Sequence, residues 1–249
     1  MNTVNQLIQR HIVTAGQDGM IGSRHRVIAE LVTDELKRRG QLTIAVSGLA
    51  LLAAAKVGKN LHRSARPWRM LKAFINHEFL VQTCGVEFAR NLYGDIEDLL
   101  AWDYHFWLQR GSLEVEYGEI RLAEHFLGTA KSLAEDDYLV ETEWAYLLFR
   151  KAIEELGIES PKMIEEATAT LYDFMGRIGD PYPYHILGSQ GLSWARRGIT
   201  DPQDKERYLR KLTQVLEEGC RKYPKELELQ NLSADLKREY LGIAVPRRF

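Results

Sequence analysis

The phrase Trp107-Leu108-Gln109-Arg110-Gly111, followed by Gly118, Ala123, Leu127, Ala130 and Leu133, constrains the fold of this chain more than any other stretch. Large, small, turn, small and small residues recur there at fixed offsets along two predicted helices. Small residues at Gly111, Ala123 and Ala130 let antiparallel helices close up, while Trp107 fills the gap between neighbours. A chain built this way stacks helical hairpins. Such stacks hold partners on a surface and seldom supply a preorganised reactive pocket.

The spacing is similar to the tetratricopeptide repeat, W-x2-L-G-x2-Y followed by A-x3-F. Arg110 and Glu114 depart from it, standing where Leu and Tyr are usual. A later pair offers Leu187-Gly188, Gly219 and Tyr223-Pro224 at corresponding offsets, with an insertion around Gly198 to Gln203. The pair between them, from Glu141-Thr142-Glu143-Trp144-Ala145, matches less well.

Periodicity and stop signals predict helix after helix. One follows a Ser23 N-cap and ends near Gly40. Others span Leu42 to Lys56, Pro67 to Thr83, and Val86 to Leu100. Paired helices follow: Trp102–Tyr117 with Glu119–Leu133, Tyr138–Leu156 with Pro161–Met175, and Tyr184–Arg197 with Gln203–Lys222. A last helix, Lys225 to Leu241, closes the stack. Near the start, Thr3 to Gln9 suits a short helix. The apolar runs His11–Thr14 and Met20–Ser23 flank an Asp18-Gly19 turn and predict a β-hairpin. The expected fold is all-α, a right-handed tetratricopeptide-like solenoid with a small winged-helix-like β-hairpin before it. Its expected domains are a partial winged-helix-like segment over 1–40, a helical connector over 41–100 and repeats over 101–249.

Composition excludes little. Hydrophobic residues make up 45% and charged residues 27% of 249 residues, with a net charge of -2, so no global charge argues for nucleic acid. The start lacks the basic-then-apolar layout of a secretory signal, and the apolar run Leu42 to Val57 falls short of a membrane span. Cys84 and Cys220 lie far apart without metal-ligand spacing, which points to reduced thiols and a cytoplasmic chain.

Charge distribution says more. Between Leu36 and His77 there are nine Lys and Arg and no acid; between Glu78 and Glu143, fifteen acids stand against four bases. Complementary faces, within one molecule or between copies, are one reading. Nucleic acid is another. Lys56, Lys59, Arg63 and Arg66 recur at three- and four-residue steps that would line one face, with Trp68 and Phe74 near enough to stack on bases.

The segment Gly22-Ser23-Arg24-His25-Arg26-Val27-Ile28-Ala29-Glu30 resembles the close of the winged-helix part of STAND-type signalling NTPases. Asp103-Tyr104-His105-Phe106-Trp107-Leu108-Gln109-Arg110-Gly111 resembles the repeat region of their bacterial members. The resemblance implies the sensing half of a bacterial signalling or antiphage-defence protein, with Arg24, His25 and Arg26 placed to meet an anion or partner at a helix N-terminus. The phosphate loop of that family is missing, since Val57-Gly58-Lys59-Asn60 lacks both its first glycine and its Ser/Thr.

No H-E-x-x-H, zinc-spaced cysteine pair or G-x-S-x-G occurs, and Glu135-Asp136-Asp137 lacks the alternating oxygens of a calcium loop. No catalytic residue, cofactor or metal ligand is therefore assigned. The expected function is non-enzymatic: a helical groove that holds a protein or peptide, with Tyr182, Tyr184 and Trp194 as candidate anchors. Two alternatives stay open, a nucleic-acid-binding regulator using 56–72 and an enzyme with a dispersed site.

Overall fold

A computed structural model describes residues 13–15, 21–23, 26–177 and 179–244. Among them are twelve helices: α1 (Arg26–Arg38), α2 (Leu42–Lys56), α3 (Arg66–Phe74), α4 (His77–Cys84), α5 (Val86–Leu100), α6 (Tyr104–Tyr117), α7 (Ile120–Leu133), α8 (Tyr138–Glu155), α9 (Ser160–Arg177), α10 (Tyr182–Arg197), α11 (Pro202–Lys222) and α12 (Leu227–Ala244). The chain divides into two compact units, 1–96 and 97–249.

Local chemistry places several helix ends. Gly40, with φ +65°, closes α1 in the left-handed region, and Gln41 N–H bonds back to Leu36 O at 2.8 Å. Asp137 caps α8 by accepting from Leu139 N and Val140 N, and Asp201 caps α11 ahead of Pro202 by accepting from Gln203 N and Asp204 N. The single helix expected from Pro67 to Thr83 is two. Asn76 interrupts it, its side chain accepting from Phe79 N at 2.8 Å to start α4 afresh.

The winged-helix expectation is corrected. The segments Val13–Ala15 (β1) and Ile21–Ser23 (β2) pair antiparallel, Val13 opposite Ser23, over three residues each. So short a two-stranded ladder is marginal, and among the described residues no further strand joins it. β2 touches α1, but Leu31 and Val32 of α1 are exposed instead of packed into a three-helix core. The fold is all-α, built by packing helix on helix. The predicted helix over Thr3–Gln9 lies outside the described residues.

In the first unit α2 packs on α3, burying Leu42, Val46, Ala50, Ala53 and Ala54 with Trp68 and Leu71. Tyr93 is fully buried and donates its hydroxyl to Ile75 O at 2.7 Å, which satisfies its polar end.

In the second unit α6 pairs with α7 and α8 with α9. α8 also packs on both α6 and α7, and α10 packs on α8 and α9. α11 pairs more closely with α12 than with α10, so the last expected hairpin is looser than the first two. One continuous apolar core runs from Phe149 and Ile164 through Leu187 and Leu212 to Leu229 and Leu236.

The opening phrase does the work its residues suggest. Trp107 is buried, stacks on Phe126 at 5.9 Å and donates Nε1–H to Ala101 O at 2.8 Å. Gly111 permits the close approach of α6 and α7, since a Cβ there would lie 2.5 Å from Leu127 Cδ2. Arg110 uses its unusual position differently from a Leu. Its guanidinium lies 4.1 Å from the Phe126 ring centroid and 2.5 Å from Glu97 Oε2.

Candidate functional site

Polar side chains join α6, α8 and α10. Ser112 on α6 donates its hydroxyl to Glu143 Oε2 on α8 at 2.8 Å. Tyr182, opening α10, donates to the other oxygen, Glu143 Oε1. Glu143 is 5% exposed, so its carboxylate depends on these donors in place of water. Burial, then the Glu143 charge and hydrogen bond, hold the Tyr182 phenol far above its usual range. Tyr146, one turn along α8, is pushed up to about 12 by burial first and by the Glu116 and Glu143 charges next.

A second tie joins the same helices. Arg150 on α8 donates to the carbonyls of Glu114 at 3.0 Å, Gly118 at 3.1 Å, and Val115, while its Nε pairs with Glu154 at 2.8 Å. These carbonyls end α6 and carry the negative pole of its dipole, which a guanidinium complements. Neither tie was visible beforehand: Ser112, Glu143, Arg150 and Tyr182 come together only through packing, and Tyr182 was singled out solely as an aromatic.

Two of the larger hollows among the described residues lie on the later helices. One of about 560 Å³ sits between α11 and α12, bordered by Cys220, Gln230 and a Glu217–Lys237 ion pair at 2.8 Å. Lysine's hydrogen bond holds the Glu217 carboxyl below the usual carboxylate range. The other, about 390 Å³, lies between α9 and α11 beside Thr168, Tyr172, Tyr208 and Leu212.

The sequence candidates fare unequally. Tyr184 and Trp194 are 2% and 7% exposed and belong to the core, so they are not groove anchors. Tyr184 fits against Gly219, where a Cβ would fall 2.6 Å from its ring. Tyr182 is half-buried and committed to Glu143. Lys56, Lys59, Arg63 and Arg66 do not share one helix face: Lys56 ends α2, Lys59 and Arg63 lie in the connection, and Arg66 opens α3. Trp68 faces inward, 1% exposed, donating Nε1–H to Leu61 O at 3.0 Å under the Arg63 guanidinium. It offers no plane to a base, so the nucleic-acid reading loses one of its two stacking residues, and Phe74 is half-buried. Arg24 and His25 lie outside the described residues, and Arg26 begins α1.

Exposed apolar surface is the remaining feature. α2 carries no charge from Leu42 to Ala55, and Ile44 and Leu52 are 72% and 64% exposed, with Leu51 exposed beside them. Only one side of α2 is buried. None of the described helices is long and apolar enough to cross a membrane.

Compared with protein-family models, curated proteins and solved structures, the chain matches none. The resemblance to STAND-type NTPases is thereby corrected. Its first phrase required a winged helix that the described residues do not form, and its second is a helix-pairing pattern that packing alone explains.

Proposed function

We propose that this protein is a non-enzymatic scaffold that holds a protein partner against helix faces of its repeat-like stack. The observation that carries this reading is the succession α6/α7, α8/α9, α10 and α11/α12, in which the Glu143 and Arg150 ties join α6, α8 and α10. Hydrogen bonds between successive pairs make a stiff platform, and helical stacks present long surfaces suited to a peptide or helix. The platform keeps apolar contacts for such a partner: Leu156, Ile158, Leu227 and Leu241 are all exposed.

The test is crosslinking of the purified full chain to proteins captured at low salt, with crosslinked positions mapped by mass spectrometry. Crosslinks clustered on exposed faces of α1 to α12, and lost with urea-unfolded chain, support the scaffold. Stoichiometric bound nucleotide, substrate turnover, or capture of nucleic acid without protein overturns it.

A further inference from the structure

The apolar residues of α2 form two stripes. At 100° per residue, Leu42, Val46, Ala50, Ala53 and Ala54 share one side, and all are buried. Ile44, Gly48, Leu51, Leu52 and Ala55 recur at i, i+4, i+7, i+8 and i+11 on the opposite side. Four of those five are exposed, and Gly48 is half-buried. An apolar stripe of that periodicity is the seam by which one helix seats on another. Gly48 makes a notch at its centre, for a Cβ built there meets nothing within 4 Å. The seam extends toward α1, because Gln41 lies on the same side and lines a hollow of about 370 Å³ with Leu31, Val32 and Leu36.

Charge selects the occupant. No acid occurs from Leu36 to His77, and the far end of the seam is framed by exposed Lys56, Lys59 and Arg66. The near end carries Lys37, Arg38 and Arg39, the two arginines bridged to Glu35 at 2.7 and 2.5 Å. A second copy seated through α2 would bring no α2 acid to Lys56 and Lys59, and Glu35 of α1 is already bridged by Arg38 and Arg39. A lipid surface has no knob for the Gly48 notch, and the stripe lacks the aromatic residues that anchor interfacial helices.

We infer that the outer face of α2 is the docking site for an amphipathic helix of a partner protein, with a ridge of large apolar residues and acidic residues at the end lying over Lys56 and Lys59. The helix ridge enters the Gly48 notch between Ile44 and Leu52, and the acidic end meets the lysines. This assignment rests on the scaffold reading only in taking the occupant to be a protein, and it places that protein on α2 of the first unit, not on the α6–α12 stack.

The experiment uses the full chain and a fluorescein-labelled synthetic helix carrying Leu at i, i+4 and i+7 and Glu at one end, followed by anisotropy. A comparison peptide carries Lys in place of Glu. The Glu peptide binds about tenfold or more tightly than the Lys peptide and weakens with salt. Ile44→Glu, Leu52→Glu and the notch-filling Gly48→Leu each lower its affinity about tenfold, with circular dichroism unchanged and no fall in urea midpoint, the Gly48→Leu midpoint rising with helix propensity. Absent binding, equal binding of both peptides, or binding indifferent to Ile44→Glu overturns the assignment. So does self-association by sedimentation equilibrium, or anionic-vesicle binding, that Ile44→Glu abolishes. Failure here while crosslinks map to α6–α12 leaves the scaffold standing and removes only this site; failure of the crosslinking with intact peptide binding does the reverse.

Discussion

Gly111 on α6 and Leu127 on α7 sit so close that an added Cβ would fall 2.5 Å from Leu127 Cδ2 and 3.2 Å from its backbone nitrogen. The side chain can swing, but the backbone nitrogen of a packed helix cannot. The interhelix distance is therefore set by the absence of one methyl group.

Gly111→Ala is expected to destabilise the second unit by about 1–3 kcal/mol through overpacking. Gly48→Ala, with nothing within 4 Å of the new methyl, is expected to raise stability by about 0.5–1 kcal/mol from helix propensity alone. Urea denaturation of both variants checks the pair of signs.

Glu143→Ala leaves the Ser112 and Tyr182 hydroxyls without their shared acceptor, at an expected cost of about 2–4 kcal/mol. Glu143→Gln keeps an acceptor oxygen for one of them and is expected to cost less. The ordering of urea midpoints, wild type above Gln above Ala, is the readout.

Arg150→Met preserves much of the side chain's apolar stem and removes its bonds to the Glu114, Val115 and Gly118 carbonyls. A loss of about 2 kcal/mol is expected, with hydrogen exchange quickening first in the last turn of α6.

Alkaline pH should destabilise the fold through its buried phenols. The Tyr146 phenol titrates near 10 when unfolded and about 12 when folded, so the folded state favours the protonated form. Its stabilising contribution is whole below pH 10 and is lost as pH rises toward 12. Tyr182 and Tyr208 shift in the same direction, chiefly by burial. Phenolate absorbance against pH should show late-titrating tyrosines released together with unfolding, and Tyr146→Phe should move that transition upward.

Helix boundaries were legible where short-range chemistry sets them. The limits of α2 and α5 read from sequence coincide with the observed Leu42–Lys56 and Val86–Leu100, and Gly40, Asp137 and Asp201 announce neighbouring ends. The break at Asn76 is hidden because Ile75 and Phe79 keep a helical i, i+4 apolar step across it; the signal is Asn76 itself, a capping residue three before Phe79. Long-range chemistry was not legible. Nothing near Glu143 in sequence says that its donors lie 31 and 39 residues away. Tyr184 and Trp194 were read as surface anchors because an aromatic at helical spacing suits either face, and only packing against Gly219 and the α11 leucines decides it. The even apolarity of α2 likewise concealed which side meets the core.

The buried Glu143 also limits how this chain can change by whole repeats. Solenoids grow and shrink when a hairpin is duplicated or deleted, because neighbouring interfaces are interchangeable. Here the middle hairpin carries an acid that needs a hydroxyl from the hairpin before it and another from the helix after it. A copy inserted on either side would bring a second such acid and separate the first from one of its donors. Removing the middle hairpin would strand a serine and a tyrosine together. The repeat number of this stack is thus locked by chemistry at its centre, and variation is left to its two ends.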